Sequence, residues 1–412
     1  MYSRSAMKTR TSVFLILAAA GLAAQVLAQN SQTPQNTTPP RRPPPALHKV
    51  ADNGLVRTPP MGWNSWNKFA EHVDDAAVRG MADAMASNGM KAVGYTYINI
   101  DDTWEAGRDA DGNITSNQKF PDMKALADYV HGKGLKIGIY SSPGPKTCAG
   151  YEGSYGHEAQ DAKTYAAWGF DYLKYDWCSA HTLYTDQEMQ AVYQIMGDAL
   201  LTTGRPIVFS LCQYGRDDVW KWGPDVGGNL WRTTDDINDT WKRMSTIGFS
   251  QNDLAAYASP GHWNDPDMLE IGNGGMTDDE YKTHMSLWSI LAAPLLAGND
   301  LRSMPHDILE ILTNREVIAV NQDKLGKQGH RVAKSGDQEV WARELADGRY
   351  AVGLFNLANA SASVTVKWSD VGIAATPTKA RDLWAHHNFK LDGPEYTAVV
   401  PAHGVALLRI AK

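Results

Sequence analysis

The segment Tyr172-Leu173-Lys174-Tyr175-Asp176-Trp177-Cys178 contains the pair of side chains with the clearest chemical potential in this chain. Its apolar and aromatic residues predict a buried strand that ends on a carboxylate. Side chains alternate along a strand, so Lys174 and Asp176 point in the same direction. A lysine beside an aspartate favours the ionised carboxylate, which can then act as a nucleophile. A structural ion pair is the alternative interpretation of this spacing.

Short apolar segments alternate with helical segments between residues 50 and 324. The clearest of them are predicted strands at 95–100, 135–140, 170–175 and 206–211 and predicted helices at 123–132, 158–168 and 185–203. The repeated order of strand, helix and strand predicts a parallel sheet, and this length suits one (β/α)8 TIM barrel. An open doubly wound sheet is the alternative, but no glycine-rich nucleotide loop follows an early strand.

Polar residues follow several of these predicted strands directly. Asp101 and Asp102 follow one strand, Tyr140 and Asp176 end two others, and Gln213 comes after Leu211-Cys212. In a barrel the carboxyl ends of the strands share one rim, where active sites form. The sequence therefore predicts an active site at this rim.

The pattern changes after Asp323. Alternating segments with tight-turn residues between them predict that residues 325–412 form a separate antiparallel β-sandwich domain, expected to serve in packing. At the other end, residues 1–28 have the basic, apolar and small-residue parts of an export signal. Residues 29–49 are rich in Pro and predict a stiff, unpacked tether. The protein is thus expected to be secreted or periplasmic, with no membrane span.

Composition limits the partners and cofactors of the chain. A net charge of −7 gives no electrostatic reason to expect nucleic acid or an anionic membrane. Three cysteines without CxxC or HExxH spacing argue against a metal site, and no cofactor is predicted. Cys148 and Cys178 would follow two successive inner strands and are the expected disulfide pair, which leaves Cys212 free. The oligomeric state stays open.

Further acids occur in two other polar segments. One contains Asp235, Asp236 and Asp239, and the other contains Asp265 and Asp267. Paired carboxylates on a barrel rim are what glycoside hydrolysis requires, since one attacks the anomeric carbon and the other protonates the leaving oxygen. Spacing alone does not choose between Asp235 and Asp236. A divalent-metal enzyme using acids such as Asp101 or Asp267 is an alternative, although no ligand spacing favours it.

Several motifs together resemble glycoside hydrolase family 27, the family of α-galactosidases and α-N-acetylgalactosaminidases. The resemblance runs from about residue 55 to the C-terminus, and the order and spacing of the motifs make it specific. They are the segments at 58–66, 100–104, 174–178, 231–236, 263–269 and 317–323.

The resemblance implies the role of each matching residue. Asp176 would be the nucleophile and Asp236 the acid/base of a retaining double displacement, with their carboxyls about 5–6 Å apart. The expected substrate is a galactose-terminated oligosaccharide or polysaccharide, and the expected activity is exo-hydrolysis of α-D-galactosyl residues. The sugar would be bound by Trp63, Asp101, Asp102, Tyr140, Cys148, Lys174, Gln213, Arg232, Asp267 and Met268.

Two segments of the family pattern bear on the substrate, and this chain departs from the pattern in one of them. Many α-galactosidases have Cys-Glu-Trp where this chain has Cys212-Gln213-Tyr214, and the amide of Gln213 is expected to hydrogen-bond the 2-hydroxyl instead. α-N-Acetylgalactosaminidases have small residues in this loop, and β-L-arabinopyranosidases lengthen one acid of the Asp101-Asp102 pair. Neither change is present, which favours galactose. A non-catalytic galactose-binding protein is the remaining alternative, and the presence of both carboxylates argues against it.

Overall fold

The fold is taken from a computed structural model that describes residues 39–374 and 376–411. The predicted export signal at 1–28 and the first part of the predicted tether lie outside the described residues. Within these residues, no helix is both long enough and apolar enough to cross a membrane.

Eight parallel strands form the barrel that the sequence predicts. The sheet contains β1 to β8, and β1 to β7 pair in chain order, each with the next one along. Strand β8 pairs with β1, and a parallel bridge between Leu269 and Ala297 joins the two ends of the sheet. The strands are β1 Met61–Asn64, β2 Tyr97–Asn99, β3 Lys136–Ser141, β4 Tyr172–Asp176, β5 Val208–Cys212, β6 Leu230–Arg232, β7 Trp263–Asp265 and β8 Leu295–Ala297.

Helices surround this sheet and cover its apolar outer face. They are α1 Trp66–Phe69, α2 Asp75–Ser87, α3 Met123–Gly132, α4 Glu158–Trp168, α5 Met189–Thr202, α6 Trp241–Phe249, α7 Asp278–Ile290, α8 His306–Thr313 and α9 Arg315–Asn321. Side-chain caps begin several of them: Asp122 accepts from Ala125 N at α3, and Thr277 and Glu280 form a capping box at α7. Between β5 and β6 short 3₁₀ turns replace a regular helix.

The C-terminal strands form the predicted antiparallel sandwich. They are β9 His330–Ser335, β10 Gln338–Glu344, β11 Tyr350–Asn356, β12 Ala362–Lys367, β13 Lys379–Asp382, β14 His387–Lys390, β15 Glu395–Val400 and β16 Val405–Ile410. Six of them form one sheet in the order β9-β10-β11-β16-β13-β14, and β12 pairs with β15 in the other. A separate apolar cluster, including Val364, Val366 and Leu408, fills the space between the sheets.

The sandwich is joined to the barrel through buried contacts on α7 and α9. Arg343 on β10 is 1% exposed and donates to the carbonyl oxygens of Ser289 (2.8 Å) and Asn321 (3.2 Å). Burial lowers its pKa to about 10. At the edge of the same interface, Glu316 on α9 accepts from Arg381 Nη2 (2.7 Å) and contacts His386 Nδ1 (2.7 Å).

The prediction of an unpacked tether is wrong for residues 40–49. The guanidinium of Arg42 lies 5.7 Å from the ring centre of Tyr155, and that tyrosine's hydroxyl donates to Pro40 O (2.8 Å). His48 N donates to Gln194 Oε1 (2.8 Å). Pro-rich composition did not reveal that aromatic rings on the barrel surface contact Arg41 and Arg42.

Replacing Glu316 with Gln is expected to lower the melting temperature by about 1–3 °C at pH 7. The hydrogen bond from Arg381 lowers the pKa of Glu316 to about 2 in the folded state, against 4.5 for an ordinary glutamate. The stabilisation is therefore complete above about pH 4.5 and is lost as the pH falls towards 2. Thermal unfolding of both proteins across this range should show the difference closing. Glu310→Gln, which removes an exposed pairing with His306, is the control and should change nothing. A difference that persists at pH 2 would contradict this account.

Candidate active site

A cavity of about 790 Å³ opens at the carboxyl ends of the barrel strands. Ten of the twelve predicted site residues line it, and both predicted catalytic carboxylates are among them. These ten are Asp101, Asp102, Tyr140, Cys148, Lys174, Asp176, Arg232, Asp236, Asp267 and Met268. The rim of the barrel therefore gathers residues that are up to 167 positions apart, from Asp101 to Met268.

Asp176 ends β4 and is 4% exposed. Burial raises its pKa to about 6, although the charge of Lys174 and a hydrogen bond from Tyr214 act in the opposite direction. The Tyr214 hydroxyl donates to Asp176 Oδ1 at 2.7 Å. This carboxylate is thus held in a defined orientation in a site that favours its neutral form more than water does.

Lys174 is paired with Asp101 rather than with Asp176. Its Nζ lies 2.9 Å from Asp101 Oδ2, and the same oxygen accepts from Asn64 Nδ2 at 2.8 Å. The side chains of Lys174 and Asp101 are 18% and 3% exposed. The alternative interpretation, a Lys174–Asp176 ion pair, is wrong, because side chains on the same face of one strand can instead meet a group from another strand end. The charge of Lys174 nevertheless lowers the pKa of Asp176.

Asp102 forms the opposite wall and is oriented by backbone donors. Ala149 N donates to its Oδ2 (2.8 Å) and Thr103 N to its Oδ1 (2.7 Å). Thr103 has a φ of 84°, which is a strained conformation for a β-branched residue. Below it, burial raises the pKa of Glu105 well above its usual range, and the neighbouring Asp102 adds to this effect.

Arg232 holds the second predicted catalytic carboxylate. Its Nη2 lies 3.0 Å from Asp236 Oδ1 and 3.0 Å from Asp267 Oδ2, and it is itself 3% exposed. Asp267 also accepts from Ile237 N (2.9 Å), which fixes the loop that carries Asp236. Like Thr103, Asp267 has a positive φ, of 89°. One buried guanidinium thus joins the loops that follow β6 and β7.

The protonation of the two carboxyls in the empty site differs from the expected one. Burial is the largest single influence on the pKa of Asp236 and raises it, but the charges of Arg232 and Lys174 and the hydrogen bond from Arg232 together lower this pKa overall. Asp176 instead has the raised pKa. The sequence predicted an ionised Asp176 and a protonated Asp236. The ionised Asp176 was inferred from Lys174 and the protonated Asp236 from the role that the family resemblance implies, whereas burial acts on Asp176 and Arg232 contacts Asp236.

Two predicted sugar contacts are not part of the cavity wall. Trp63 is fully buried on β1 and its Nε1 donates to Asn299 O (2.8 Å), whereas Trp66 at the start of α1 lines the cavity. Gln213 is also fully buried, and its amide has no hydrogen-bond partner among the described residues, whereas Tyr214 lines the cavity. In both cases a nearby residue of the same segment lines the cavity instead of the predicted one, because the strand end redirects side chains within one to three positions.

The expected disulfide joins Cys148 to Cys178 at the rim, with their Cα atoms 4.9 Å apart. It links the loop after β3, which carries Ala149, to the segment just beyond Asp176. Cys212 is free and buried, and it lies 3.6 Å from Arg232 Nη1. Both assignments made from strand positions are confirmed.

The cavity is also lined by polar residues that the sequence did not assign to the sugar site. Glu270 accepts from Asn273 Nδ2 (2.7 Å) and contacts Asn67, and burial raises its pKa to about 7. Asp239 accepts from the Tyr281 hydroxyl (3.1 Å). No motif marks these residues as a group, because they come from three separate loops.

Replacing Lys174 with Met is expected to lower the free energy of unfolding by about 3–5 kcal/mol, because it leaves Asp101 buried without its cation. Denaturant unfolding measures this change. Lys124→Met is the matched control, because it removes an ion pair with Asp128 in which both side chains are more than half exposed. Equal losses in the free energy of unfolding for the two substitutions would show that the Lys174–Asp101 pair stabilises the protein no more than an exposed ion pair does.

Comparison with known proteins places both the barrel and the sandwich in one family. Residues 58–323 match the family described as alpha galactosidase A, and residues 335–410 match the alpha galactosidase C-terminal beta sandwich domain. An α-galactosidase of Cyamopsis tetragonoloba is 51% identical over 86% of this chain and 86% of its own length. Alpha-galactosidase 2 of Arabidopsis thaliana is 50% identical over 88% of this chain and 92% of its own.

The fold comparison agrees with the sequence comparison. The crystal structure of α-galactosidase I from Mortierella vinacea matches with a TM-score of 0.83 and 37% identity, covering 87% of this chain and 98% of that one. The barrel, the sandwich and the connection between them are therefore all shared. This chain belongs to the α-galactosidase family, glycoside hydrolase family 27.

Proposed function

We propose that this protein is a retaining exo-α-galactosidase in which Asp176 is the nucleophile and Asp236 the acid/base. The observation that carries the proposal is that both carboxylates line one cavity together with Lys174 and Arg232. A charged network of this kind suits a sugar, because hydroxyl groups can donate to the acids and accept from the cations. The names of the related proteins support the choice of an α-galactoside as substrate.

The first displacement forms a covalent ester. One oxygen of the Asp176 carboxylate attacks C1 of the galactosyl residue, and the bond from C1 to the glycosidic oxygen breaks. Asp236 transfers its proton to that oxygen, so the aglycone leaves as a neutral alcohol and Asp236 becomes a carboxylate. The product on the enzyme is a β-galactosyl ester of Asp176.

The second displacement releases the sugar. Asp236 accepts a proton from water as the water oxygen attacks C1, and the ester bond to Asp176 breaks. Asp176 leaves as a carboxylate, and Asp236 is protonated again. α-Galactose is released, so the configuration at C1 is retained.

In this mechanism Asp236 is protonated and Asp176 is ionised when the substrate is bound. Substrate binding therefore has to raise the pKa of Asp236 relative to that of Asp176. In the empty cavity Arg232 donates to Asp236, whose side chain is 70% exposed. A sugar hydroxyl that accepts from Arg232 would remove this donor, and the sugar ring would exclude water from the carboxyl. Both changes raise the pKa of Asp236, since each disfavours the anion.

Galactose is the preferred sugar of this proposal. Asp101 and Asp102 both line the cavity, and their short side chains leave space that a longer acid would fill. Tyr214 lines it beside Asp176, where α-N-acetylgalactosaminidases of the family have small residues in the same loop. We further propose that the aglycone is an oligosaccharide or polysaccharide. Export is supported by the signal-like residues 1–28 and by the disulfide at the cavity rim.

Asparagine substitutions of Asp176 and of Asp236 should affect the two displacements differently. With nitrophenyl α-galactoside, Asp176→Asn is expected to lower kcat at least about 10⁴-fold, because no ester can form. Asp236→Asn should retain the first step, since nitrophenol leaves without a proton, and should accumulate the ester, which a burst of nitrophenol detects. NMR of the first-formed anomer gives the stereochemistry. Initial β-galactose, or hydrolysis by Asp176→Asn near the native rate, would contradict the proposal. Nitrophenyl α-N-acetylgalactosaminide and β-L-arabinopyranoside test the alternative sugars.

The acid limb of kcat/KM is expected near pH 6. Asp176 must be ionised to attack, and burial raises its pKa to about 6 in the free enzyme, so kcat/KM falls as the pH drops below this value. A pH profile of the α-galactosidase activity measures the limb. Burial also raises the pKa of Asp265 to about 6, so Asp265→Asn is the control and should leave the limb in place. A limb near pH 4, or one that moves with Asp265→Asn, would contradict the assignment.

A further inference from the structure

Tyr214 contacts the reacting carboxylate directly. Its hydroxyl donates to Asp176 Oδ1 at 2.7 Å. Within residues 39–374 and 376–411 it is the one hydrogen-bond donor to this side chain, so Asp176 Oδ2 has no protein donor there. The two oxygens of the nucleophile are therefore not equivalent before any sugar binds.

The phenol is held in place by its surroundings on three sides. The guanidinium of Arg232 lies 5.5 Å from the ring centre, and Cys148 Sγ lies 3.7 Å from the hydroxyl oxygen. The next residue, Gly215, donates to Arg232 O (3.0 Å). These contacts tie the loop after β5 to the end of β6 and to the rim disulfide.

The backbone of Tyr214 is strained in a way that fits this role. Its φ is 62°, in the left-handed region that bulky side chains rarely adopt. Such conformations persist when the surrounding structure holds them, and they are concentrated at functional sites. Gly215 follows with a φ of 78°, and a Cβ there would lie 2.2 Å from Thr233 O. The chain thus turns sharply after β5, and this turn brings the phenol over Asp176.

We propose that Tyr214 is a positioning residue that assigns different roles to the two oxygens of Asp176. This inference rests on the proposed function of Asp176 as the nucleophile. Oδ1 stays hydrogen-bonded to the phenol, and Oδ2 attacks C1. In the ester Oδ2 is bonded to the sugar and Oδ1 is the carbonyl oxygen, which still accepts from the phenol. The phenol keeps its proton throughout.

The contact should matter most for the second displacement. When the ester breaks, negative charge returns to the Asp176 carboxylate, and a fixed donor stabilises this developing charge. In the first displacement the same donor stabilises the starting anion, so its main contribution there is to orientation. Loss of the hydroxyl should therefore slow release of the sugar more than formation of the ester.

Tyr214→Phe tests this with the ring and its contact with Arg232 retained. We expect kcat for nitrophenyl α-galactoside to fall about 10- to 100-fold, as for loss of a hydrogen bond to a charged group. KM should fall with it, and a nitrophenol burst should appear because the ester accumulates. The acid limb should move to higher pH, since the donor favours the ionised form of Asp176.

Tyr193→Phe is the matched control. Its hydroxyl is buried, donates to Tyr175 O (3.1 Å) and lies outside the cavity wall. Loss of the Tyr193 hydroxyl should lower the melting temperature. It should produce no nitrophenol burst and should leave the acid limb of kcat/KM unchanged. If Tyr214→Phe has kcat within twofold of the native value and the same acid limb, the proposal is overturned.

Peptide mass spectrometry after trapping the ester with a fluorinated galactosyl fluoride separates the two possible failures. A label on Asp176 together with an unaltered Tyr214→Phe profile would overturn only the role of Tyr214. A label on another residue would overturn the assignment of the nucleophile, and the role of Tyr214 with it.

Discussion

Two cations, the partly buried Lys174 and the fully buried Arg232, form ion pairs with carboxylates of the cavity, and the geometry of the site depends on them. Lys174 is paired with Asp101, and Arg232 lies between Asp236 and Asp267. The Lys174–Asp101 and Arg232–Asp267 pairs each join side chains from different strand ends. A buried charge without a partner is strongly destabilising, so these contacts hold the rim loops in a defined arrangement even without a sugar.

Acids nevertheless outnumber the cations in this part of the described chain. Asp176 and Asp265 are buried near the same two cations, Asp102 is buried beside Asp101, and burial raises the pKa of all three acids. The site therefore retains a proton more readily than free carboxylates would. A retaining glycosidase needs one of its two carboxyls protonated and the other ionised. Because this site has more acids than cations, one carboxyl can keep its proton there.

Local sequence patterns were sufficient to predict the helices and strands that form the barrel. The helices at Met123–Gly132 and Glu158–Trp168 have the predicted bounds, and the strand that ends on Asp176 lies within two residues of its prediction. Helical and strand periods are local properties, so they can be recognised without knowing the fold. The rim was predictable as well, because parallel strands place all their carboxyl ends at one edge. The choice of Asp236 over Asp235 needed the family resemblance.

The sequence by itself determined the barrel, the sandwich and the set of strand ends that meet at the cavity. Only the tertiary structure decided the partners within that set. It paired Lys174 with Asp101, brought Trp66 and Tyr214 to the wall in place of Trp63 and Gln213, and reversed the expected pKa order of the two catalytic candidates. The physical reason is that hydrogen bonds and pKa values depend on distances of a few ångströms between separate loops, and no local period encodes those distances.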